Sequence, residues 1–363
     1  MAKTIDKSFW KNRKVFITGH TGFKGSWLSL WLANLGAEVT GYSNSLRTSP
    51  NLFDQADVCK DIKSITGDVR NLNKLSLEIH KAQPEIVIHM AAQSLVKASF
   101  KDPVGTYETN VLGTVNLLEA VNKSPKTRAV IIVTSDKCYE MKKNTQYYYA
   151  ESDPLGGDTP YSSSKGCAEL VAKAYHHSFM NKSKGTRIAT ARAGNVIGGG
   201  DWAKNRLLPD AIRSIATRTP AVIQQPNSIR PWQFILEPLR GYLMLAEKLC
   251  GDNPDAHTGS WNFGPDKTEV LSVKDLCENL TLISNGNITF CIEENHKSLE
   301  SPSLLLESQK SKDHLNWQPV LNIKTALFWT YDWYAKNQLP GIDMNSFTLN
   351  QIKLYSQIIE GKT

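Results

Sequence analysis

A chain of 363 residues is longer than one hydrophobic core usually organises and comfortable for two domains. With 40% hydrophobic and 21% charged residues it has the make-up of a folded protein, which excludes a disorder-dominated chain. The formal net charge of +7 is spread along the sequence without a basic tract, so an anionic small molecule is favoured over nucleic acid as partner.

Residues Met1 to Lys7 lack the apolar stretch of an export signal, and no run reaches the ~18 apolar residues of a membrane span. A soluble, unexported protein is expected. Six cysteines, Cys59, Cys138, Cys167, Cys250, Cys277 and Cys291, stand apart without the close pairs of zinc ribbons or redox dithiols. That predicts a reduced, cytoplasmic protein with no metal site.

In chain order, β-rich runs at 14–18, 37–42, 62–66, 85–89 and 129–134 alternate with helix-length segments. Strands so separated pair in parallel through right-handed crossovers, predicting an α/β fold with a doubly wound parallel sheet. Ile131-Ile132-Val133 reads as a strand buried on both faces. Beyond Arg192 the pattern loosens into Gly198-Gly199-Gly200, several prolines, and Trp202, Trp232, Trp261 and Trp317 between polar loops. We expect a first domain over 1–190, with 236–263 returning to it. A smaller C-terminal substrate-binding domain is expected over 191–235 and 264–363.

Directly after the first run comes Thr18-Gly19-His20-Thr21-Gly22-Phe23-Lys24-Gly25, followed by the apolar helical run from Ser26 to Leu32. Glycines remove side chains where backbone must approach a pyrophosphate, and the helix offers its N-terminal N–H groups and dipole to that anion. A glycine-rich turn with no ligand is the plainer alternative, but three glycines at this spacing are costly unless the space is used.

The Gly-x-x-Gly-x-x-Gly spacing resembles the extended short-chain dehydrogenase/reductase family of NAD-dependent epimerases and dehydratases. The resemblance implies a Rossmann-like fold, NAD as cofactor, and cofactor contacts at Gly19, His20, Thr21, Gly22, Phe23, Lys24 and Gly25. Gly67-Asp68-Val69 resembles the adenine-contacting segment, with the Asp68 carboxylate accepting from the exocyclic amine. His89-Met90-Ala91-Ala92-Gln93 resembles the nicotinamide-side loop, which implies Ala91, Ala92 and Gln93 beside the cofactor, and Asn110 falls where the family has a helix Asn. The second strand ends in Gly41-Tyr42-Ser43-Asn44 with no carboxylate for a ribose 2′-hydroxyl, so NAD over NADP comes from the resemblance. Arg47 could meet a 2′-phosphate, a solvated loop arginine being the plainer reading.

Tyr161-Ser162-Ser163-Ser164-Lys165 follows Pro160 and opens a helix, which puts Tyr and Lys on one face. A phenol of reference pKa ~10 is a poor base, and an adjacent ammonium with a positive nicotinamide ring favours its phenolate. Such a Tyr takes the proton of a substrate hydroxyl as hydride leaves the same carbon. Thr134-Ser135-Asp136-Lys137 ends the fifth run, and ligands gather at the carboxyl ends of parallel strands. Nucleotide-sugar 4,6-dehydratases carry Thr-Asp-Glu here, and this chain carries Ser135-Asp136-Lys137.

That triplet, with Cys138-Tyr139, the Thr18 to Trp27 segment, the Arg192 to Trp202 segment and Arg230-Pro231-Trp232-Gln233, resembles the CDP-glucose 4,6-dehydratase family over nearly the whole chain. The match thins beyond about Pro265, where Leu306-Glu307-Ser308-Gln309-Lys310-Ser311 replaces an expected Leu-Asp-x-Ser-Lys-Ala. Phe234 stands where His is expected.

The resemblance implies Ser135, Asp136, Lys137, Tyr161 and Lys165 as catalytic residues, Tyr161 and Lys165 also touching the cofactor. It implies contact of Asn195, Arg206 and Arg230 with a CDP-sugar, a guanidinium suiting a diphosphate through its planar fork of donors. The implied cycle moves hydride from sugar carbon 4 to carbon 6 through NAD, with loss of water from carbons 5 and 6. Alignment assigns the carbon 5 proton to Lys137, while the reverse, Asp136 as base and Lys137 as acid, needs no unusual protonation. A homodimer or homotetramer joined through helices beginning near Pro103 and Tyr161 is also implied. Two rivals stand: a nucleotide-sugar 4-epimerase, which has no need of the Asp-Lys pair, and a catalytically silent NAD-binding regulator, against which intact Ser135, Tyr161 and Lys165 argue.

Overall fold

The computed structural model describes residues 4–44, 48–142, 147–180, 185–293 and 303–361, and Arg47 lies outside them. The first half of the chain forms β1 (Lys14–Thr18), α1 (Phe23–Asn34), β2 (Glu38–Ser43), β3 (Lys63–Thr66), α2 (Leu72–Ala82) and β4 (Ile86–His89). It continues through α3 (Gly113–Asn122), β5 (Ala129–Val133), α4 (Pro160–Tyr175) and β6 (Arg187–Ala193). The strands β1 to β5 fall within one residue of the runs read from the sequence.

These strands and a later one, β7 (Gly259–Phe263), make a seven-stranded sheet ordered β7-β6-β5-β4-β1-β2-β3, parallel at every pairing. Alternation explains why helices cover both faces. Successive side chains of a strand point to opposite sides, and here both sides are buried: Val15, Ile17, Ile86, Ile88, Ile131 and Val133 join one core, Phe16, Val87, Val130 and Ile132 the other. Such strands are near-continuous apolar runs, as the sequence of β5 is.

From β1 the chain winds out to β3 on one side and returns to β4 on the other. The crevice at the carboxyl ends of β1 and β4 is therefore the topological switch point where such sheets bind ligands.

The helix α1 is apolar almost all round, and Gly25 to Leu32 are buried without a break. A helix of that kind needs cover on more than its sheet side. It finds it in α5 (Leu236–Leu249) and α7 (Met344–Ile359), the latter packed with α6 (Ile323–Asn337).

After β6 the chain leaves the sheet, and α5 and β7 bring it back. The segments outside are joined by short pairings, Val196–Ile197 with Gln233–Phe234, Ala221–Ile223 with Phe290–Ile292 and Ile229–Arg230 with Leu271–Ser272. Phe234 sits buried in this region, edge-on to Trp27 and Trp329. No helix among the described residues is long and apolar enough to cross a membrane.

Candidate active site

The β1–α1 turn is shaped by close backbone approach. Gly19 has φ +76°, and a Cβ there would meet Ala91 N at 2.7 Å. A Cβ on Gly25 would lie 2.1 Å from Gly19 O, so the first turn of α1 presses against the loop it leaves. Gly22 caps α1 with no side-chain bond, so the cap itself leaves the first-turn N–H groups open. A bare helix start at the switch point fits a pyrophosphate.

His20 does something the sequence did not suggest. Its ring is buried against β2, with Nε2 2.7 Å from Ser64 Oγ, and edge-on to Phe53. Burial pulls its pKa down to about 4, which keeps the ring neutral. A Cβ on Gly41 would lie 2.3 Å from the ring, so the glycine in β2 makes room for the histidine. Gly41→Ala is therefore expected to cost ~1–3 kcal/mol by overpacking; an unchanged guanidinium unfolding midpoint would mean that the ring can swing aside. Thr21 Oγ1 donates to Ser43 Oγ at 2.9 Å, and Phe23 reaches towards Gly198.

The loop after β4 is fixed by a chain of hydrogen bonds. The Thr114 hydroxyl donates to Asn110 O, so it accepts from His89 Nε2, and the Thr18 hydroxyl donates to His89 Nδ1 at 2.7 Å. Thr18 Oγ1 in turn accepts from the backbone of Met90 and Ala91, both at 3.2 Å. Gln93 N donates to Asn110 Oδ1 at 2.8 Å, and Asn110 Nδ2 donates to Ser164 Oγ at 2.9 Å. Asn110 lies in a wide turn, Glu108–Leu112, that interrupts the helical path into α3. It thus ties the loop carrying Ala91, Ala92 and Gln93 to the start of α4.

Farther along the cleft, both Asp68 oxygens accept from Arg70, which also pairs with Glu108. Arg70 is a partner that the sequence reading did not assign. Val69 is buried against Gly113.

Pro160 stands at the first position of α4, and Thr159 caps it by accepting from Ser162 N. The helix starts where it does for those reasons, and Tyr161 and Lys165 come to face the end of β5. Ser135 Oγ donates to Asp136 Oδ1 at 2.8 Å and accepts from Lys137 N at 3.2 Å, in a tight turn over Asp136–Cys138. Lys165 Nζ donates to Val133 O at 3.2 Å. A Cβ on Gly194 would come within 3.0 Å of Asp136 Oδ2 and 2.5 Å of Pro231 Cγ, so that glycine lets the loops before Val196 and after Arg230 close on the carboxylate.

Burial sets the protonation of this cluster. It pushes Tyr161 up to about 12, with the Ser135 hydrogen bond opposing and Asp136 reinforcing. Burial thus outweighs Arg206, the cation that acts on this phenol, and favours its neutral form. Burial raises the Asp136 carboxyl too, against Lys137, Ser135, Arg230 and Lys24. Lys165 is pulled down to about 8 and Lys24 to about 7, both chiefly by burial.

The structure brings Ser135, Asp136, Lys137, Tyr161 and Lys165 together, and Arg206, Arg230 and Lys24 act electrostatically on members of that group. Arg206 donates to Asp201 at 2.8 Å, and Arg230 is buried with Nη1 on Ile229 O. Asn195 is half-buried, its carbonyl accepting from Gln233 N. Lys24, expected at the glycine turn, lies within electrostatic reach of Arg206, Asp136 and Lys165, with Nζ 6.0 Å from the Tyr242 ring centre. Tyr242 and Glu169 were missed. The repeat of four through Tyr161, Lys165 and Glu169 could have flagged the second.

A model of the family described as GDP-mannose 4,6 dehydratase matches residues 16–327. The chain belongs to this GDP-mannose 4,6 dehydratase family. CDP-glucose 4,6-dehydratase of Salmonella typhimurium is 42% identical over 355 residues, covering 97% of this chain and 98% of that protein. Among solved structures, UDP-glucose 4-epimerase of Thermotoga maritima with UDP-glucose superposes with a TM-score of 0.77 at 20% identity, over 90% of this chain and 99% of that one. The dTDP-glucose 4,6-dehydratase of Streptomyces venezuelae with NAD and TYD bound gives 0.75 at 22%, over 89% and 97%. Membership in the GDP-mannose 4,6 dehydratase family bears out the resemblance read from the motifs, and the two structures share the Rossmann-like fold expected from them.

Proposed function

We propose that the chain is an NAD-dependent hydro-lyase that converts CDP-glucose to CDP-4-keto-6-deoxyglucose. The observation that carries this reading is the convergence of Ser135, Asp136, Tyr161 and Lys165 on the strand ends beside a bare helix start, in a chain 42% identical to a CDP-glucose 4,6-dehydratase. Bound NAD supplies a hydride acceptor and then a hydride donor, so net oxidation is zero. Residues Gly19 to Gly25 hold its pyrophosphate end, Asp68 and Val69 its adenine end, and Ala91, Ala92, Gln93 and Asn110 its nicotinamide end.

Tyr161 takes the proton of the 4-hydroxyl, Ser135 donates to the same oxygen, and Lys165 keeps the phenolate side of that exchange favourable. The resulting ketone acidifies the proton on carbon 5. Lys137 removes it, and Asp136 protonates the departing 6-hydroxyl, a role supported by the burial that raises its carboxyl. Arg206, Arg230 and Asn195 hold the diphosphate and nucleotide. In this reading 1–190 with 236–263 carries the cofactor, and 191–235 with 264–363 the CDP-sugar. The exposed Phe100, Val104, Tyr107, Leu112 and Leu170, on or beside the two expected pairing helices, support a homo-oligomer. The six free cysteines suit a reducing cytoplasm.

Incubation with CDP-glucose, UDP-glucose and dTDP-glucose, followed by mass spectrometry, tests the assignment. Loss of one water from CDP-glucose in preference to the others is expected. Equal or better turnover of dTDP-glucose would remove the nucleotide assignment. An isomer of unchanged mass would indicate the epimerase, and no turnover at all the silent regulator.

A further inference from the structure

One helical turn beyond Lys165 on α4 lies Glu169, only 3% exposed. A carboxylate so deep is unfavourable unless its lone pairs are met. All of them are. Oε1 accepts from Thr134 Oγ1 at 2.5 Å and Arg192 Nε at 2.9 Å. Oε2 accepts from Thr190 Oγ1 at 2.5 Å, Arg192 Nη2 at 2.8 Å and Ser260 Oγ at 3.1 Å. Thr134 immediately precedes Ser135, Thr190 and Arg192 belong to β6, and Ser260 belongs to β7. One side chain thus joins the helix of Tyr161 and Lys165 to three neighbouring strands beneath the reaction centre.

We propose that Glu169 is the positioning residue of the hydride-transfer step, clamping the Tyr161–Lys165 helix to the ends of β5, β6 and β7 and standing as the fixed anion behind the Lys165 ammonium. This rests on the reading that Tyr161 and Lys165 carry that step. The groups around Lys165 make the charge specific. His89 from β4 is held neutral, its pKa pulled to about 3 by burial, and the buried Cys138 thiol is pushed up and neutral. Lys24 from α1 is of like charge, with Asp136 facing it, and Arg192 from β6 is engaged by Glu169 itself. Burial pulls the Lys165 ammonium down, and Glu169 is the foremost group holding it up.

Glu169→Gln keeps the shape and removes the charge, whereas Thr190→Val removes one hydrogen bond and keeps the charge. In the cofactor-free protein, the side-chain nitrogen resonance of Lys165, identified by its loss in Lys165→Met, can be titrated by NMR. In Glu169→Gln it is expected to titrate lower by about 1 pH unit or more, and in Thr190→Val where the native protein does. A group whose pKa falls loses its proton earlier as pH rises. The alkaline limb of hydride transfer from CDP-glucose should therefore move to lower pH in Glu169→Gln, with the rate down ~10–10²-fold and KM little changed.

A folded Glu169→Gln with native Lys165 titration and native hydride transfer overturns the proposal. Should that variant not fold, Glu169→Gln combined with Arg192→Gln is uncharged and still hydrogen-bonding. In that double variant a lowered Lys165 titration and slowed hydride transfer support the proposal, and native values of both overturn it. Absence of hydride transfer in the native protein would instead overturn the functional reading, and the titration of the free protein would still decide whether Glu169 holds the Lys165 charge.

Discussion

Tyr161→Phe is expected to stop the first hydride transfer while leaving cofactor affinity nearly unchanged. The substitution removes one oxygen from a residue otherwise held by Pro160, the Thr159 cap and the Ser164 hydroxyl, which donates to the Tyr161 carbonyl. The helix should therefore stay in place. What is lost is the proposed acceptor for the 4-hydroxyl proton, and loss of a positioned acid or base typically slows a reaction by ~10²–10⁴. The native phenol sits at about 12 before anything binds, so its activation depends on the charges brought to it. Rapid mixing with CDP-glucose, followed by the absorbance of the reduced cofactor, measures the step directly. A folded variant that reduces its cofactor at the native rate would falsify the role given to Tyr161.

Lys137→Met should separate oxidation from elimination. In the proposed cycle oxidation at carbon 4 uses Tyr161, Ser135 and Lys165, none of which the change replaces. Abstraction at carbon 5 requires a separate group, and Lys137 follows Asp136 in the turn that Ser135 closes. The variant is expected to form the 4-keto sugar, accumulate reduced cofactor and lose little water, with turnover down ~10²–10⁴-fold. In heavy water the native enzyme should place solvent deuterium at carbon 5, and the variant should do so far more slowly. If the variant exchanges that proton at the native rate and only water loss fails, Lys137 is the acid for the leaving hydroxyl and Asp136 the base.

The parts of the molecule legible in its sequence were those in which chemistry and local periodicity coincide. The strands β1 to β5 are apolar runs bounded by polar turns, and the glycine turn follows β1 directly. Tyr161 and Lys165 could be placed on one helical face because their spacing is itself the geometry. Pairings such as Val196–Ile197 with Gln233–Phe234 were not legible, since two residues carry no periodicity and their partner lies far along the chain. His20 and Lys24 were recognised as part of the turn, but not where their side chains go. His20 turns under β2 because Gly41 leaves room there, and Lys24 comes within the electrostatic reach of Asp136, a residue more than a hundred positions away. Glu169 was hidden for the same reason: its partners Thr134, Thr190, Arg192 and Ser260 meet only once three strands are side by side.

The late arrival of β7 bears on how this protein can be made. It pairs with β6 from Gly259↔Ala189 to Phe263↔Ala193, although more than sixty residues of chain intervene. Until those residues leave the ribosome, β6 is a sheet edge whose side chains beyond Arg187 are all of the buried kind. A strand with unpaired backbone groups and side chains shaped for burial invites pairing with another chain. A fragment cut just after β6 would carry that sticky edge permanently. The intact chain carries it only for the time needed to synthesise the excursion and bring β7 home.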